Sequence, residues 1–268
     1  MTPWRRSRRR FAARLAHLAF AGAVAGRGSA LAAAAWERPG RARVLAVAAL
    51  AEQVLKLHAQ VGQGILVRRA RRALAAALRG MDSAVRALGT PPAPSELHER
   101  VAILAILVAQ YRAHASRPPA RDAAAGMGER AEEIEWEAQR IAALLGADDG
   151  SPQALAARAI DAALRAERIA RLLLWRRWGL GPTDAQAALA SAKEALQSDL
   201  DALRGGAGAT ARTRSELQVA ENQAAFLFAA GWRIDAAERA KELEFAVKAG
   251  DNARESFERL AALYERMG

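Results

Sequence analysis

Apolar positions recur at three- and four-residue steps along most of the chain. Val101, Leu104, Val108 and Tyr111 form one series, and Ile134, Ala138, Ile141 and Leu145 another. In the second half Leu189, Ala192, Leu196, Leu200 and Leu203 repeat the pattern, as do Ala253, Phe257, Leu260 and Tyr264. This is the period of a helix with one apolar stripe, and Arg, Glu and Gln occupy the opposite face. Such a helix draws most of its stability from burying its stripe against others. Four stripes facing inward make a bundle.

Loop signals divide the stripes. "GTPPAPS" (89–95), "SRPPARD" (116–122), "GADDGSP" (146–152), "GLGPTD" (179–184) and "GGAGAT" (205–210) are rich in proline, glycine and small polar residues. Weaker breaks lie at Gly62-Gln63-Gly64 and between Gly231 and Asp235. Eight helical segments result. Ser151-Pro152 offers a capping hydroxyl before a first-turn proline. Thr183-Asp184-Ala185-Gln186 fits a capping box, and Gly146 and Gly179 follow helix ends.

The segments read as a duplication. "SAVRALG" (83–89) and "SDLDALRGG" (198–206) both close a second helix, and "SELHERVAILAILVAQY" and "SELQVAENQAAFLFAAGW" both open a third. The expected fold is all-α: two tandem antiparallel four-helix bundles, 33–148 and 151–268. A single core running across residue 150 would count against this organisation and against any function drawn from it.

Composition agrees with helix, since alanine, leucine, arginine and glutamate abound while valine, isoleucine and threonine are sparse. The formal charge is +11, but residues 1–32 hold seven arginines and no acid. The rest carries 33 basic and 29 acidic residues, a net of +4, interleaved as on a solvated surface. No finger spacing or RNA-binding aromatic motif accompanies them, so a nucleic-acid partner is not expected. The absence of cysteine excludes disulfides and thiolate chemistry.

Residues 1–32 read as an export signal: arginines, then a diluted apolar segment from Phe11 to Gly26, then Ala30-Leu31-Ala32 as a small-x-small cleavage site. Ser7, Arg8, Arg9 and Phe11 resemble the twin-arginine motif. A basic arm or a short uncleaved anchor are the other readings. The expected location is periplasmic. No other segment is expected to cross a bilayer: the best candidate, "VAILAILVA" (101–109), falls short of the roughly 20 residues a span needs and reads as a buried core helix.

Between Arg171 and Gln186 the chain reads "RLLLWRRWGLGPTDAQ". Trp175 and Trp178 share a helix face, while Arg176 and Arg177 point elsewhere, in a last turn where cations suit the dipole. This is a helix end; an anionic-ligand or membrane-surface contact is the alternative.

No catalytic constellation stands out. Phosphate-binding, dinucleotide and nucleophile-elbow motifs are missing from the sequence. His98 has Glu96 and Glu99 nearby, which is not a metal site, and no cofactor is expected. "EEIEWE" (132–137) reads as a solvated face around Ile134. Arg168 and Arg171 share helix surface. They are either exposed or turned inward, and inward they need an acid, with Glu167 at hand, or an anion.

"ARLLLWRRWGLGPTDAQAALASAKEALQSDLDALR" (170–204), with "ENQAAFLF" and "KAGDNARESFERLAALYERM" (248–267), resembles the PilJ-type sensor domain of type IV pili methyl-accepting chemotaxis transducers. Over 41–148 the likeness lies in helix order. The resemblance implies an antiparallel four-helix bundle and an extracytoplasmic sensory role. Related nitrate and nitrite sensor kinases hold an anion with an arginine preceding a methionine on the first helix. Here Ala163 and Leu164 stand at those places, Gln53 stands at the arginine's place in the first half, and Glu167, Arg168 and Arg171 keep the later part of the box. The resemblance thus implies a ligand site around Glu167, Arg168, Arg171, Gln53 and Lys56. Its expected partners are a small anion or polar ligand and a membrane signalling protein, with homodimerisation left open. The rival reading is a structural or interaction protein that has lost the ligand.

Overall fold

The computed structural model describes residues 40–91, 95–146, 150–180, 185–206, 210–233 and 240–267. The export-signal residues Ser7, Arg8, Arg9 and Phe11 and the Thr183-Asp184 cap lie outside the described residues. Among those described there are eight helices and no strand. They are α1 (Arg41–Gly62), α2 (Val67–Ala87), α3 (Glu96–Ala115), α4 (Arg121–Leu145), α5 (Pro152–Trp178), α6 (Ala185–Arg204), α7 (Ala211–Arg233) and α8 (Ala240–Glu265). The all-α expectation holds, and helix ends fall at the loop signals. Ser151 caps α5 by accepting from the Ala154 N–H at 3.2 Å, and Ser95 caps α3 by accepting from that of His98 at 3.1 Å. Gly179 closes α5 in the left-handed region, φ 63°, where a side chain would be strained.

α1 packs on α2, α4 and α5, and α5 packs on α1, α6 and α8. α3 packs on α4, and α7 on α8, while α2 meets α3 and α6 meets α7 only lightly. Both first helices are enclosed. Val44, Val47, Ala51, Val54 and Leu55 of α1 have no exposed surface, nor have Ala159, Ala162, Ala163, Ala166 and Ile169 of α5. Contrary to the expectation that 101–109 is the best candidate, α1 is the helix long and apolar enough to cross a bilayer among the described residues; its burial makes it a core helix here.

A contact between helices spans the expected division at 146–152. The described helices belong to one compact unit, and the α1–α5 contact carries its interior across residue 150. Alanine is the cause. Ala48, Ala51, Ala163 and Ala166 are buried, and such small side chains let α1 and α5 be enclosed by several neighbours at once.

Burial also supports an internal repeat. A step of 115 residues carries Ala51 and Glu52 onto Ala166 and Glu167, Lys56 onto Arg171, Met81 onto Leu196 and Leu88 onto Leu203. Every one of these is buried. In the fourth helices a step of 119 carries Ile134, Ala138, Ile141 and Leu145 onto Ala253, Phe257, Leu260 and Tyr264, again all buried.

Candidate functional site: a buried charge network

The polar interior lies where α1, α5 and α8 meet. Glu52 and Lys56 are one turn apart on α1, and Glu167 and Arg171 one turn apart on α5. They pair crosswise. Lys56 Nζ lies 2.7 Å from Glu167 Oε2, and Arg171 Nε donates to Glu52 Oε1. The two helices run in the same direction, because past this point Gln63 Nε2 donates to the Leu174 carbonyl at 3.0 Å and Gly62 lies against Trp178. Crosswise pairing of equivalent residues is what a two-fold axis between two like helices produces.

Further groups complete each charge. Asp251 of α8 accepts from Lys56 and, at 3.2 Å, from Arg69. Arg254 lies 2.9 Å from Glu167, and Arg168 spans Glu135 and Glu52, the latter at 3.4 Å. Burial pushes the Glu52 carboxyl up, but Arg171 and Arg168 outweigh it and hold the group below its ordinary range. Burial likewise pulls Lys56 down, and Glu167 and Asp251 more than reverse this. Both therefore stay charged near neutral pH, inside a region from which water is largely excluded.

The structure brings Glu167, Arg171 and Lys56 together and sets Arg168 at their edge. Gln53 takes no part in the network. Glu167 is not the partner of Arg168, as the sequence suggested; it serves Lys56 and Arg254. Glu52, Glu135, Asp251 and Arg254 were missed. The available signal was the Glu52–Lys56 step inside an otherwise apolar helix. Ala163 and Leu164 are buried core residues. "EEIEWE" is not simply a solvated face: Glu135 binds Arg168, and Glu137 is fully buried 3.5 Å from Arg100. His98 is tied to the Pro91 carbonyl at 2.9 Å, and no metal-holding cluster occurs among the described residues.

The Trp-Arg-Arg-Trp stretch ends α5 as expected. Trp175 is buried, carries the Arg171 guanidinium over its ring at 4.3 Å and lies against Gly128. Arg176 and Arg177 are exposed.

Among the buried polar groups outside the network, His58 is unpaired. His58 is enclosed, neither ring nitrogen has a protein partner, and burial holds the imidazole below its ordinary pKa. Its counterpart in the repeat is Leu173. His58→Leu is expected to stabilise the protein by about 1–2 kcal/mol at pH 7, by removing an unpaired buried imidazole. A histidine with a depressed folded pKa contributes stability above its unfolded pKa and loses it as pH falls. Urea unfolding should therefore show the gap between variant and wild type widening from pH 7 to pH 5.

Comparison with protein families, with curated proteins and with solved structures returns no match.

Proposed function

We propose that this chain is an exported, non-enzymatic helical protein acting as an interaction scaffold, built of two four-helix sets fused through their first helices. The observation that carries this reading is the neutralisation of the interior: Lys56, Arg168 and Arg171 each lie against carboxylates of the same chain. An anion entering there must take a cation from Glu52 or Glu167 and leave that buried carboxylate with only Arg168 or Arg254, at a cost of up to about 3–5 kcal/mol. A sensor of small anions needs the reverse, a cation kept for its ligand. The shared α1–α5 interior points the same way. A ligand-driven shift of one set against the other would break both crosswise pairs at once. Export rests on the arginine-rich leader and its small-residue end.

Thermal unfolding in nitrate, nitrite and, for ionic strength, chloride tests the reading. A ligand that binds only the native state must raise its stability. Nitrate and nitrite are expected to shift Tm no more than chloride does, in the wild type and in Arg168→Ala alike. A saturable rise with nitrate or nitrite that Arg168→Ala abolishes would restore the sensor reading.

A further inference from the structure

Several arginines elsewhere in the fold are matched by acids. Arg100, Arg158, Arg165, Arg204, Arg254 and Arg259 each meet a carboxylate. α2 departs from this. Arg68, Arg71, Arg72, Arg79 and Arg86 are exposed, and none forms an ion pair among the described residues. The acid on this helix, Asp82, is taken by Arg112 of α3 at 2.7 Å. At about 3.6 residues per turn, Arg68, Arg72, Arg79 and Arg86 fall within about 40° of one another, in a straight row about 27 Å long. Like charges one turn apart weaken a helix. Arg68 and Arg72 stand at that spacing, so their repulsion works against the helix until something anionic lies beside them.

Beside the row runs a trough of about 510 Å³ between α2 and α3, with Val85, Ala105, Val108, Ala109 and Ala113 as its apolar lining and Asp82, Arg86, Arg112 and Ser116 as its polar lining. On the same face of α3 as Ala109 and Ala113, Ile106 is 49% exposed. Between the arginines the exposed face of α2 carries Ala75 and Ala76. It has no aromatic or amide side chain with which to stack on or read a base. We infer that this flank docks on an anionic lipid bilayer, with the guanidinium row on headgroup phosphates and the trough with Ile106 toward the acyl boundary. The inference deepens the scaffold reading by naming its partner, and vesicle binding can fail without touching the anion test above.

The test is co-sedimentation with vesicles of phosphatidylglycerol and phosphatidylcholine in equal parts, against vesicles of phosphatidylcholine alone. All chains carry glutamine for the seven arginines of residues 1–32, so that this segment adds no positive charge. The otherwise unaltered chain is expected to bind only the anionic vesicles, more weakly as salt rises. Each row arginine is worth about five-fold, so replacing Arg68, Arg72, Arg79 and Arg86 with glutamine should weaken binding more than a hundred-fold. The same change at Arg140, Arg158, Arg204 and Arg259 removes equal charge and should weaken it far less. Ile106→Ser should lower binding several-fold without affecting helicity. Failure to bind, or equal losses from the two sets of four, would overturn the proposal. So would tighter binding to duplex DNA than to the anionic vesicles. Circular dichroism confirms that each variant is folded before it is scored.

Discussion

Replacing Lys56 with methionine will lower the unfolding free energy by about 3–5 kcal/mol at pH 7, because it leaves Glu167 and Asp251 facing each other without their shared cation. The lysine is fully enclosed and Glu167 has no exposed side chain, so water cannot take its place without opening the α1–α5 contact. Urea unfolding monitored by circular dichroism measures the loss. Two further results distinguish this cause from a simple cavity. Lys56→Met with Glu167→Met should recover at least half of it, since an apolar pair of similar size replaces a buried ion pair at little cost. The deficit of the single variant should also shrink toward pH 4, where the stranded carboxylates can take protons. A neutral Lys56→Met would mean that these acids are solvated and the network is not interior.

Trp175→Ala is the second large effect, about 3–5 kcal/mol, the usual cost of removing a buried indole. The ring is 7% exposed, supports Arg171 and fills the space that Gly128 leaves open on α4. Trp175→Phe, which keeps a ring under Arg171, should lose less than half as much in the same urea titration. Were Trp175 instead a surface foot for a membrane or a ligand, the alanine variant would unfold like the wild type.

Much of the fold was legible because it depends on period and punctuation. The stripes Val101–Tyr111 and Leu189–Leu203 are nearly regular, and proline and glycine mark the loops that separate helices. What could not be read was how the stripes meet. α1 and α5 lack a single stripe, since alanine, valine and leucine fall on more than one side of each helix, and such a helix can be enclosed from several sides. That ambiguity hid the α1–α5 contact and favoured two separate cores. The site was half legible for the same reason. Glu167, Arg171 and Lys56 were singled out, but Glu52 is merely an acid in an apolar run until Arg171 is seen opposite it. Asp251 lies 195 residues from Lys56 of α1, Arg254 pairs with Glu167 of α5, and only the packing of α8 reveals either role. The arginine row of α2 was obscured by counting. Charges interleaved over the whole chain concealed a helix on which they are not.

Amide hydrogen exchange in α1 and α5 probes the shared interior most directly. Phe257→Ala, a fully buried change confined to α8, serves as the perturbation. Under one core, slow amides of Val44–Leu57 and of Ala159–Leu173 open in the same global event and lose protection by the same factor in the variant. If α5 alone lost protection while α1 kept its wild-type rates, the halves would be separate cores and the account would be contradicted.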